Sequence, residues 1–122
     1  MTIKSLYHLV QESEGFSVRT DGLLTYAGDG YAVGGAVKDA VFTCKNDDLS
    51  FRTFNREMNR LQSCATDPTQ VIGAWVDESI YPGIAYLELS DVVKSFPVAL
   101  ELAEARGEKA IYDFANQKSI YL

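Results

Sequence analysis

Apolar residues recur along this chain at two periods, one helical and one strand-like. Ile3, Leu6, Tyr7 and Val10 follow the i, i+3, i+4, i+7 spacing of a helical face, with Thr2 placed to cap the first turn and Gly15 beyond the end as a stop. Phe16 to Arg19 and Leu23 to Tyr26 flank Thr20-Asp21-Gly22, and an Asp-Gly step between two apolar runs predicts a tight hairpin. Tyr31 to Val33 and Ala40 to Thr43 read as two further short strands around a Gly-Gly step. After Lys45-Asn46-Asp47-Asp48, the residues Phe51, Phe54, Met58 and Leu61 form one stripe of a second helix, with Asp48 or Ser50 as its cap.

Asp67-Pro68 breaks the chain, and QVIGAWVD and IAYLEL then read as strands joined around Pro82-Gly83. Val71, Gly73 and Trp75 alternate with Ile72, Ala74 and Val76, so both faces of the first of these strands are apolar, as in a strand inside a sheet. A third helix is expected from Phe96 to Arg106, capped by Ser95, with Pro97 in its first turn, Gly107 past its end, and Phe96, Ala99, Leu100 and Ala103 as its stripe. KAIYDFA and KSIYL close the chain as a hairpin across Asn116-Gln117. The expected fold is α+β in one domain: a mainly antiparallel sheet of about six to seven short strands with three helices packed on it. The helix between IAYLEL and KAIYDFA would make those two strands parallel by a right-handed crossover.

Composition narrows the function. At 122 residues and 47% apolar, the chain can bury a core without disulfides or a structural metal. The net charge of −6 argues against broad binding to nucleic acid or anionic lipid. The apolar runs fall far short of the ~20 residues of a membrane span, and MTIKSLYHLV is soon interrupted by Gln11 and Glu12, so a cytoplasmic location is the expectation. Cys44 and Cys64 form no C-x-x-C pair and read as reduced packing thiols.

Candidate chemistry is sparse. YAGDGYAVGG, Tyr26 to Gly35, holds four glycines in ten residues, but Gly28, Gly30 and Gly34 miss the G-x-G-x-x-G spacing by one and no helix follows. Turns at positive φ and a bulge are the reading. His8 is the sole histidine, so a multi-His metal site is excluded, and no G-x-S-x-G elbow is present. No motif calls for a cofactor. Asp77, Glu78, Glu88, Asp91 and Asp113 lie in or beside strands, where a pair meeting across the sheet would share a proton or hold a divalent cation; a solvated acidic face is the plainer reading. Asp113, between Tyr112 and Phe114, is the most notable of them.

The second helix concentrates positive charge. Arg52, Arg56 and Arg60 recur every four residues beside Asn55 and Asn59, giving Ser50 to Cys64 a net +2 and leaving −8 for the rest. Arg52, Arg56, Asn59 and Arg60 are therefore the candidate site for an anionic ligand or an acidic partner, set against pairing with the chain's own carboxylates. Tyr81, Tyr86, Tyr112 and Tyr121 on or beside the late strands suit an edge that pairs with a second copy, giving a homo-oligomer.

VIGAWVD, IAYLELSDVV and ALELAEARGEKAIYDFANQKSI together resemble a pattern in small uncharacterised proteins of bacteriophages and other mobile genetic elements: a Gly-Trp strand, a Tyr-Leu-Asp-like strand, an alanine-rich helix and an AIYD-type hairpin. The likeness spans roughly residues 15 to 122. Glu88 stands where Asp is commoner, and Arg106-Gly107-Glu108 replaces an amide-bearing step. The resemblance implies an accessory protein of a mobile element and transfers no catalytic residue. The resulting expectation is a non-catalytic protein that binds a host protein or a small anionic ligand; the alternative is a small carboxylate-based hydrolase, metal-dependent or not.

Overall fold

The computed structural model describes residues Met1–Leu122. Helix α1 (Ile3–Gln11) starts where the Thr2 side chain accepts from the Ser5 N–H at 3.1 Å, and it buries Leu6 and Val10. It stops at Glu12, short of Gly15, because Ser13 takes the left-handed conformation at φ 61°. Gly15 has a different duty: a Cβ there would lie 2.8 Å from the Ala74 carbonyl oxygen, so its bare Cα lets the chain enter the sheet against a neighbouring strand.

The strands are β1 (Phe16–Arg19), β2 (Tyr31–Val33), β3 (Val41–Lys45), β4 (Val71–Asp77), β5 (Ile84–Val93), β6 (Ala110–Asp113) and β7 (Lys118–Tyr121). They pair antiparallel throughout, in the order β1-β4-β5-β2-β6-β7 with β3 also on β5, and the sheet curls into a half-barrel. β5 organises it. β4 runs along one side of β5, while the other side carries β3 opposite Ile84 to Glu88 and then β2 opposite Asp91 to Val93.

Of two expectations about pairing, one needs correction and the other is met with a strand interposed. Leu23 to Tyr26 is shorter than a strand: Gly22 and Leu23 make the turn at φ 74° and 55°, and the segment returns along β1 around a single bridge, Val18 opposite Thr25, with the Arg19 N–H donating to the Leu24 carbonyl at 2.8 Å and the Tyr26 N–H to the Ser17 carbonyl at 2.9 Å. The full ladder of β1 is with β4 on its other edge, Phe16 opposite Ala74. The crossover through helix α3 (Phe96–Arg106) does leave β5 and β6 running in one direction, but they are not neighbours, because β2 lies antiparallel between them.

Helix α2 (Phe51–Cys64) is capped by Ser50, whose oxygen accepts from the Thr53 N–H at 3.1 Å. Its stripe Phe54, Met58 and Leu61 is fully buried, while Phe51 sits at the rim with its ring edge-on to Tyr7. α1 and α2 lie over β1, β4, β5 and β3 around a core of fourteen buried residues. α3 covers β2, β6 and β7 through a smaller cluster of Val33, Ala99, Ala103 and Ile111. Cys44 and Cys64 are free thiols packed against the larger core.

Candidate functional site

The register places all three helices on one face of the sheet. Antiparallel partners point the same way and successive residues alternate, so Leu87 and Leu89 of β5 share a face with Ile72 and Ala74 of β4, Val18 of β1 and Val33 of β2, all of them buried. The residues between them, Tyr86, Glu88 and Ser90 on β5, Gly73 and Trp75 on β4, and Ala32 on β2, face the opposite way, where no helix packs. Because the sheet curls, that face is a groove of about 1060 Å³.

Aromatic rings line it. Trp75 and Tyr86 are directly opposed in register and stack with ring centroids 4.4 Å apart and planes 9° off parallel. Trp75 remains 46% exposed, so this stack offers its surface to solvent. Across the groove, Tyr112 meets Phe114, and Tyr26 closes one end by packing on Phe114 with centroids 4.5 Å apart.

Two carboxyls sit among these rings. Glu88 projects from β5, and Glu108 follows the C-terminus of α3. Gly107 takes the left-handed conformation at φ 69°, with its N–H bonded to the Glu104 carbonyl at 3.1 Å and the Glu108 N–H bonded back to the Ala103 carbonyl at 2.9 Å. This paired closure of the helix end reverses the chain and brings Glu108 to Glu88. Their carboxyls meet over Gly34, where a side chain would collide with an Oε1 of each. The Gly35 N–H donates to Glu88 Oε2 at 3.1 Å. Arg106 braces the corner: its Nη1 donates to the Gly34 carbonyl at 3.0 Å and its Nη2 to Asp91 Oδ2 at 2.7 Å, while Gln70 Nε2 donates to the other Asp91 oxygen at 3.1 Å.

Burial, followed by the charge of Glu108, pushes the Glu88 carboxyl up to about 7, against the opposing pull of the Gly35 N–H and Arg106. Burial also raises Glu108, with Arg106 opposing. Two carboxyls this close do not readily both ionise, and when one is protonated they hydrogen-bond to each other. Near neutral pH the pair therefore exchanges a proton with its surroundings.

The other residues singled out from sequence have more local settings. Arg60 donates to Glu57 at 3.0 Å and to the carbonyls of Asp39 and Val41 at 2.8 and 3.1 Å, tying the β2–β3 loop to α2. Arg56 lies 3.5 Å from the same carboxylate. Glu57 is buried at 7% exposure between them, so these two arginines neutralise the chain's own acid. Asn59 bonds the Asn55 carbonyl, and Arg52 is exposed without an ion pair. Asp77 accepts from Ser79, and Asp113 from Asn116 and Ala115; these hydrogen bonds hold both carboxyls below the usual range and make them turn caps. His8 is exposed on α1. Of the acids weighed from sequence, Glu88 alone lies in a setting that favours protonation, and its partner Glu108 was not among them. The Arg106-Gly107-Glu108 step was its one visible signal: a helix-ending glycine that fixes the next side chain.

No cluster of three or more His, Cys, Asp or Glu side chains is placed to hold a metal ion, and no helix is long and apolar enough to cross a membrane. Compared with family models, curated proteins and solved structures, the chain matches none of them.

Proposed function

We propose that this chain is a non-catalytic binding protein, an accessory protein of a mobile genetic element, that takes a host protein on the open face of its sheet. The observation that carries this reading is the one-sided covering of the sheet: three helices share one face and leave the other as a ring-lined groove. Concave surfaces with a few placed polar groups are where ligands are held, and stacked, half-exposed aromatics are the usual anchors of a partner. The arginine row of α2 has less to offer, since Arg60 and Arg56 are engaged with Glu57. Self-association belongs to the same proposal through β7, an end strand of the sheet whose far edge pairs with no other strand.

The test compares partner retention from host lysate by the unaltered chain, a Trp75→Ala/Tyr86→Ser variant and an Arg52→Gln/Arg56→Gln variant. Loss in the first variant alone supports the groove; loss in the second alone moves the site to α2. A second reading, acid–base hydrolysis, is favoured by one arrangement, the Glu88 and Glu108 carboxyls meeting over Gly34 inside the groove, where burial pushes both up. Turnover of chromogenic ester, phosphodiester or glycoside substrates that disappears in Glu88→Gln would establish it.

A further inference from the structure

Resting on the groove as the binding surface, we propose that its occupant is an extended polypeptide segment bearing arginine or lysine, whose cationic head seats on the Glu88–Glu108 pair. Charge complementarity selects this occupant. The charged residues lining the groove are Asp77, Glu88 and Glu108 against Lys109 alone, on a chain of net −6. Phosphate backbones and acidic segments meet repulsion here, and a second copy brings the same sign. The neighbouring rings fit the same occupant: the flat Trp75–Tyr86 stack accepts a guanidinium or a lysine stem across its face. Gly73 and Ala32, small residues on the open face, let a backbone approach the sheet closely.

The proton coupling follows from what surrounds Glu88. On its own strand the same face presents Tyr86 and Ser90; β4 presents Gly73 and β3 presents Val41, opposite it in register. The β2–β3 loop contributes only the Gly35 N–H. From α3 and its end come Arg106 and Glu108, the charged groups that act on it, and Arg106 is committed to Asp91 and the Gly34 carbonyl. A docked cation is therefore the one new charge able to hold both carboxyls ionised. On binding, one O–H bond of the pair breaks, its electrons stay on the carboxylate, and the proton passes to solvent. Affinity then rises with pH through the neutral range, by about tenfold between pH 6 and pH 8 for one released proton with a midpoint near 7.

Trp75 is the chain's only tryptophan, so its fluorescence reports the groove directly. The probe is a capped Arg-Thr-Arg-Thr-Arg-Thr peptide, titrated at pH 6 and pH 8 beside its Glu-Thr counterpart and an oligothymidylate. Saturable quenching by the arginine peptide alone, about tenfold tighter at pH 8, is the expected result. Glu88→Gln should weaken binding at least tenfold at pH 8 and flatten its pH dependence. Calorimetry of the unaltered chain at pH 6 in phosphate and bis-Tris, whose ionisation heats differ, should show about one proton released, falling to about a tenth of one at pH 8, a readout independent of any variant's folding. Preference for the oligothymidylate or acidic peptide, pH-independent affinity, or concentration-dependent self-association lost in Glu88→Gln would overturn the proposal. If partner retention depends on Trp75 and Tyr86 while the arginine peptide leaves fluorescence unchanged, this inference fails and the groove reading stands. Retention indifferent to both rings sinks the groove reading itself.

Discussion

Leu87 and Glu88 are neighbours on β5, yet they belong to different environments. Leu87 is fully buried in the fourteen-residue core under α1 and α2, where apolar contact holds the sheet to its helices. Glu88 points into an open groove beside a second carboxyl, held there by the Gly35 N–H, an arrangement that opposes cohesion once both carboxyls are charged. One face is built to keep the chain folded, and the other keeps rings half exposed and acids half desolvated. Function-bearing surfaces commonly retain such unfavourable features while the rest of the fold supplies the stability.

If the faces divide their duties this way, perturbing each should give effects of different size and kind. The largest belongs to the covered face: Phe54→Ala removes a fully buried ring and should cost about 3–5 kcal/mol in urea unfolding. A loss below 1 kcal/mol would break the contrast. Arg60→Gln comes next, because it frees the β2–β3 loop and leaves buried Glu57 with only Arg56; about 1–2 kcal/mol is expected.

On the open face the sign reverses. Glu88 has its midpoint at about 7 in the folded chain against an ordinary 4.5, so between these values the folded state holds more protons and stability falls as pH rises. The penalty is absent below the lower value and complete above the upper. Glu88→Gln should therefore match the parent at pH 4 and exceed it at pH 8. The shift corresponds to about 3 kcal/mol, which solvent screening of this partly exposed group reduces to about 1–2 kcal/mol. Denaturant midpoints at both pH values check it, and destabilisation at pH 8 would refute the assignment. Smallest are Trp75→Ala, within about 1 kcal/mol for a ring left half in water, and Arg52→Gln, within about 0.5 kcal/mol; circular dichroism melts would register either.

Local patterns made much of the covered face legible. The caps at Thr2, Ser50 and Ser95, the glycine stop at Gly107 and the α2 stripe each depend on residues within a turn or two of one another. Alternation also identified β4 as an inner strand with Trp75 and Ile72 on opposite faces. Pairing partners were harder to read. Asp21-Gly22 makes its turn and a brief return along β1, but the other edge of β1 finds β4, more than fifty positions away, a preference no short window contains. The three residues of β2 likewise slip between β5 and β6 without any local mark. The acid pair depends on both: Glu88 and Glu108 become neighbours only once α3 has crossed over β2 and Gly34 has left them room.

Because the glycine closure at Gly107 fixes Glu108 to the last turn of α3, that helix acts as a ruler. Each residue advances a helix by about 1.5 Å and turns it by about 100°, so inserting or deleting a single residue between Ala99 and Ala103 would swing Glu108 away from Glu88 without altering either glutamate. The groove's chemistry is thus set by a length as much as by composition, and variation in this chain should spare the number of residues in α3 even where it changes their identity.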